Sequence, residues 1–96
     1  VKALDIVLHK GKIEQIYNIG ANEEKTNLEI TKIILKEMNK SIDMIEFVED
    51  RKGHDKRYAI DNSKVKSLGW KPEMPFSKGI IQTIKWYVDN VNWINK

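Results

Sequence analysis

Two short β-rich runs, residues 16–19 (Ile-Tyr-Asn-Ile) and 44–48 (Met-Ile-Glu-Phe-Val), bracket one amphipathic segment, and this limits the fold more than any other feature. Between them, Thr26-Asn27-Leu28-Glu29 has the pattern of a capping box. In such a box the Thr side chain accepts from the backbone three residues on, and the Glu reaches back to the cap. Behind it Leu28, Ile30, Ile33, Ile34 and Met38 can share one face, so the spacing predicts an amphipathic helix over 27–39. Strand, capped helix and strand make a βαβ unit with parallel strands and a right-handed crossover. A two-stranded parallel sheet is not a complete domain, so helices must cover its faces and further surface must come from elsewhere.

Helical segments are available on both sides. Val1, Leu4, Val7 and Leu8 have helical spacing up to Gly11, and no capping residue precedes them, which points to truncation. Asp61, Asn62 and Ser63 offer N-caps for a short helix carrying Val65 and Leu68, stopped by Gly69 and Pro72. Phe76, Ile80, Ile81, Ile84, Tyr87, Val88 and Val91 mark a long amphipathic helix that opens after Pro75. The expected fold class is α/β, with short parallel strands packed by helices in a single domain over 1–96. Trp70, Trp86, Tyr87 and Trp93 read as packing residues, Trp86 and Trp93 being seven apart on one helix face.

Composition narrows the function classes. A chain of 96 residues buries a modest core and is marginal without further chain or a partner. The absence of cysteine excludes disulfides and thiolate chemistry and is consistent with a reducing compartment, so a cytoplasmic location is expected. No apolar run approaches the roughly 20 residues of a membrane span, so no membrane partner is expected. The net charge of +3 would by itself allow a nucleic-acid partner. The lysines are dispersed, however, and Glu23, Glu24, Glu29, Glu37, Glu46, Glu49 and Asp50 lie among them, which reads as a solvated basic surface. A free-standing basic binding module would instead cluster its charge on one face.

Catalytic constellations are nearly absent. The sequence has no Gly-x-Gly-x-x-Gly, Walker, His-Glu-x-x-His or Gly-x-Ser-x-Gly motif. Tyr17, Tyr58 and Tyr87 are followed four positions on by Ala21, Asn62 and Val91, so no Tyr-x-x-x-Lys pair exists. His9 and His54 are far apart with no cysteine between them, and neither a metal site nor a catalytic residue is expected. What remains is the stretch 49–58, in which every residue except Gly53 and Tyr58 is charged or His. It reads as a loop. Arg51 and Arg57 can offer forked donors to phosphate oxygens, with His54 and Lys56 between them, and Gly53 allows a sharp turn. Ligands in α/β proteins bind beyond the carboxyl ends of parallel strands, where Asn27 at a helix N-terminus would face the same crevice. A solvated turn with Arg–Asp pairs has the same spacing, which leaves both readings open.

A resemblance separates them. Tyr17-Asn18-Ile19-Gly20, then Asn22, then Glu24-Lys25-Thr26-Asn27-Leu28, resembles a Tyr-Asn-Ile-Gly-Gly-x-x-Glu-x-x-Asn-Leu segment of the dTDP-glucose 4,6-dehydratases, a family of extended short-chain dehydrogenases. Residues 50–61 are similar to that family's Asp-Arg-Pro-Gly-His-Asp-x-Arg-Tyr-Ala-Ile-Asp signature, and Leu68-Gly69-Trp70-Lys71-Pro72, Phe76, Gly79-Ile80, Thr83 and Trp86-Tyr87 continue the pattern. Lys52 stands where the family has Pro, and Ala21 where it has Gly, which argues against a positive φ at 21. Related epimerases and decarboxylases share the Tyr-Asn-Ile-Gly run and differ in the Gly-His-Asp loop, and they form the nearest alternative.

The resemblance implies the small C-terminal substrate-binding lobe of an enzyme whose NAD-binding Rossmann domain lies outside this chain. It implies that Asn27, Asp50, Arg51, Lys52, Gly53 and His54 contact the dTDP portion of dTDP-glucose, Arg51 foremost. NAD, the Tyr-x-x-x-Lys pair and the acidic pair belong to the missing domain, so the chain alone is expected to be inactive and without a cofactor. The parent enzyme is expected to be a homodimer whose lobe contacts its own N-terminal domain, and the isolated chain a monomer.

Overall fold

The computed structural model describes residues 1–95. Among them are five α-helices, α1 (Lys2–Lys10), α2 (Asn27–Glu37), α3 (Ser63–Ser67), α4 (Phe76–Asp89) and α5 (Val91–Ile94), with a single 3-10 turn at Ile42–Met44. The helices form where the local signals place them. Thr26 caps α2, and Gly69, with φ at +97°, follows Leu68 at the end of α3 in the left-handed region that glycine adopts at this position. Pro75 is the N-cap of α4, where its missing amide costs no helical hydrogen bond.

The expected short parallel strands are not formed among the described residues, whose regular structure is helical. Residues 16–19 carry no ladder, and the second run opens with the 3-10 turn and continues as unpaired backbone. Local propensity supplies an extended conformation, but a strand needs a neighbour's backbone at about 4.8 Å to receive its hydrogen bonds. Here the two runs belong to different compact units, and neither run is hydrogen-bonded into a ladder among the described residues. Their apolar side chains stay uncovered: Ile16 is 80% exposed, and Phe47 and Val48 are 81% exposed.

The first unit comprises Val1–Glu24 and Asp55–Glu73. Its centre is small, with Val65 fully buried and Ala3 nearly so. Polar ties hold its distant segments together. Lys2 pairs with Glu73, while Lys64 donates to Gln15 Oε1 at 3.0 Å and lies 5.5 Å from the Tyr17 ring centroid. Asn62, with 1% exposure, is the single buried polar residue of the described set.

The second unit comprises Lys25–His54 and the chain from Met74 onward. Helices α2 and α4 pack against each other, and Ile34, Met38, Ile80, Ile84 and Val88 line an open apolar groove. The long helix expected after Pro75 is interrupted at Asn90. The Asn90 amide and its side-chain Nδ2 both donate to the Trp86 carbonyl, at 2.9 and 2.8 Å. An asparagine side chain that competes for a helix carbonyl favours the end of a helix. Trp86 and Trp93 still meet edge-to-face across the break, with centroids 5.3 Å apart, and Tyr87 packs on Trp86 at 5.1 Å. All three remain substantially exposed.

Candidate functional site

The loop at residues 50–54 turns on Gly53. The His54 amide donates to the Arg51 carbonyl at 3.2 Å, closing a four-residue turn with Gly53 third and φ at +72°. A positive φ at this position is characteristic of type II turns and suits glycine because no Cβ is present. Lys52 occupies the second position, where proline is favoured because its ring presets φ. The substitution noted against the family pattern therefore loosens the turn without redirecting it.

Arg51 and His54 are brought together by this turn. Arg51 Nε donates to His54 Nδ1 at 3.2 Å, so the ring accepts at Nδ1 and carries its proton on Nε2. The bond orients the guanidinium and leaves its terminal nitrogens available. Among the described residues no carboxylate pairs with Arg51, and the whole stretch from Asp50 to His54 is exposed.

Of the two uses its spacing leaves open, phosphate binding or pairing with a carboxylate, Arg57 makes the second. Its Nε donates to Glu24 Oε2 and its Nη2 to Glu24 Oε1, both at 2.6 Å. This bidentate contact occupies the fork that would have met a phosphate. The hydrogen bond from Arg57 holds the Glu24 carboxyl below its ordinary range, and Glu24 in turn raises Arg57. Of the two arginines, Arg51 has no carboxylate partner among the described residues, whereas Arg57 has one.

Asn27 is the first residue of α2, and its carbonyl accepts from Thr31 Oγ1 at 2.7 Å. The capping box before it is complete. Glu29 N donates to Thr26 Oγ1 at 3.1 Å, and Thr26 N donates to Glu29 Oε2 at 2.7 Å. These bonds hold the Glu29 carboxyl below its usual value. They also place a carboxylate at the positive end of the helix, where free amides favour an anion. Asn27 shares a compact unit with residues 50–54.

Two residues of the region were missed in the sequence. Asn62 stands at the N-cap position of α3 that the sequence offers, but its side chain makes no capping bond: Nδ2 donates to the Gly20 carbonyl at 2.6 Å and Oδ1 accepts from Asn22 Nδ2 at 3.0 Å. Asn22, and not Ala21, takes the left-handed backbone, with φ at +56°. Glu24 was read as part of the solvated acidic background. Its partner lies 33 residues away, beyond any local spacing rule.

Comparison with known proteins places this geometry. The chain is 52% identical over 86 residues to the low-salt glycan biosynthesis protein Agl12 of Haloferax volcanii, covering 90% of the chain and 28% of that protein. It is 46% identical to a dTDP-glucose 4,6-dehydratase of Haemophilus influenzae, covering 94% of the chain and 30% of the enzyme. The fold superposes with a TM-score of 0.88 on a dTDP-glucose 4,6-dehydratase of Bacillus anthracis solved in complex with NAD, at 44% identity, over 96% of the chain and 29% of that structure. The chain thus spans under a third of the length of these relatives. The family model described as GDP-mannose 4,6 dehydratase matches residues 1–83, continuous through both runs, the capped helix and the Arg51 turn, and the chain belongs to that family.

Proposed function

We propose that the chain is the nucleotide-sugar-binding portion of a dTDP-glucose 4,6-dehydratase, which converts dTDP-glucose to dTDP-4-keto-6-deoxyglucose. The carrying observation is the contrast between the two arginines: Glu24 pairs with Arg57, while Arg51, on a glycine turn, has no carboxylate partner among the described residues. Arg51 and Lys52 would meet the diphosphate, His54 would orient Arg51, and Asn27 would contribute from the helix terminus. Asp50 opens the turn. The relatives named as dTDP-glucose 4,6-dehydratases favour this reading over an epimerase or decarboxylase.

The reaction of the whole enzyme oxidises the sugar at C4, eliminates water across C5 and C6, and returns the hydride to C6. This chain's share is binding. Its residues do not fit a dinucleotide site: it has no Gly-x-Gly-x-x-Gly, and the capping box at α2 leaves the Asn27 side chain, in place of a free helix terminus, to meet a ligand. The cofactor would belong to the larger part of the enzyme. Residues 16–19 and 44–48 would become short parallel strands of an α/β lobe once that part supplies neighbouring backbone, and the complete enzyme would form the homodimer.

NMR titration of the isotope-labelled chain with dTDP tests the reading. Shifts at Asn27, Arg51, Gly53 and His54 are expected at millimolar nucleotide, an affinity of about −4 kcal/mol. Arg51→Ala should reduce it by roughly 1.5 kcal/mol, the low end for a hydrogen bond to a charged group at an exposed site. Shifts confined to the Trp86 and Trp93 face would overturn the assignment.

A further inference from the structure

The segment Lys25–His54 leaves the first compact unit after Glu24 and returns to it at Asp55. Glu24 and Arg57 therefore stand at the two ends of a long excursion of the chain, and both belong to the unit from which it departs. Their bidentate contact, with both distances 2.6 Å, closes the base of that excursion. The two proposed ligand-binding elements lie immediately beyond this base. Asn27 is three residues past Glu24, and His54 is three residues before Arg57. Three extended residues span at most about 11 Å, so each element is tethered within that reach of the pair.

We infer that Glu24 and Arg57 form a positioning clasp, which limits the separation of Asn27 from the Arg51 turn and so prepares them for one diphosphate ligand. The inference rests on the nucleotide-binding reading above. Neither clasp residue touches the ligand in this account.

The geometry supports a role in positioning over one in stability. Both side chains are substantially exposed, at 71% for Arg57 and 47% for Glu24, and exposed ion pairs add little to folding. What a two-point contact adds is direction, because the planar fork fixes distance and orientation together. The same strand of chain is secured again by Asn62, which holds Gly20 and Asn22. Residues 20–24 are thus fastened at two places to residues 57–62. The second fastening is buried and the first is exposed, so the clasp can be removed without opening the centre of the unit.

The test uses dTDP as the probe, with Glu24→Gln, Arg57→Met, the exchanged pair Glu24→Arg with Arg57→Glu, and Arg51→Ala. Each single clasp variant should bind dTDP about fivefold more weakly, the scale of one surface ion-pair constraint, with an unchanged melting temperature. The amide shifts of Asn27 and Gly53 should move in both single variants before ligand is added. The exchanged pair should recover most of the affinity. If Arg57 is instead a phosphate ligand held in check by Glu24, Glu24→Gln will tighten binding and the exchanged pair will not recover it, and either result overturns the clasp. Weakened binding in Arg51→Ala with no change in both single clasp variants overturns the clasp and leaves the nucleotide site standing. Unchanged binding in Arg51→Ala, or no dTDP shifts in the unaltered chain, overturns the site and the clasp with it.

Discussion

The Asn62 side chain donates through Nδ2 to the Gly20 carbonyl at 2.6 Å and accepts through Oδ1 from Asn22, fastening two segments some 40 residues apart in sequence. It does so from a buried position beside Val65, also wholly enclosed, three residues further on. Replacing it with alanine would leave a carbonyl without its partner. Asn62→Ala should lower stability by about 1–3 kcal/mol, the cost of an unsatisfied buried group. Asn62→Asp should be no milder, because a carboxylate cannot donate to Gly20. Chemical denaturation monitored by circular dichroism reads both, and a midpoint shared with the unaltered chain would remove Asn62 from the centre of the first unit.

The Arg51 turn has proline's position filled by lysine. Lys52→Pro presets φ at the second position of a turn whose third residue already holds φ at +72°. A gain of about 0.4–1 kcal/mol is expected from the smaller entropy of the unfolded chain. Hydrogen exchange at the His54 amide, which closes the turn, should slow. A loss of stability would show that Arg51 cannot adopt the extended backbone that a following proline requires.

Helix α2 depends on a reciprocal cap. Thr26→Ala removes the acceptor for the Glu29 amide and should cost about 0.5–2 kcal/mol. The loss should appear as fraying of residues 27–30 in amide exchange, with the first compact unit unaffected. An unchanged denaturation midpoint would mean that the helix does not begin at Asn27.

Acid should weaken the fold in a defined window. Glu29 and Asp61 both have folded-state values below their ordinary ones: Glu29 through the Thr26 backbone, and Asp61 through the Ser63 backbone. A depressed carboxyl binds its proton less readily in the folded chain than in the unfolded one. Its contribution is therefore complete above the unfolded values, at about pH 4, and is lost as the pH falls through the lower folded ones. Melting temperature should be level from neutrality to about pH 5 and fall below it, as these carboxyls titrate. Glu29→Gln should flatten part of that fall. A decline confined to the neutral range would assign the effect to other groups.

The four-residue neighbourhood already determines much of this chain. The capping box of Thr26 and Glu29, the opening of α4 at Pro75 and the end of α3 at Gly69 are satisfied by backbone and side-chain bonds that span a single helical turn. The same holds for the turn at Gly53, where only the absence of a Cβ makes the conformation cheap. These features can be read from the residues because the partners are neighbours in sequence. Tertiary structure decided what each exposed group finally met. Arg57 has the same side chain as Arg51, but it folds back onto a glutamate 33 residues away, while no carboxylate among the described residues pairs with Arg51. Asn62 keeps the N-cap position of α3, but its side chain cross-links to the Gly20 carbonyl instead of capping the helix. Residues 16–19 and 44–48 have the composition of strands without being strands, since a strand's hydrogen bonds are made to another strand, and residue order alone does not set one beside it.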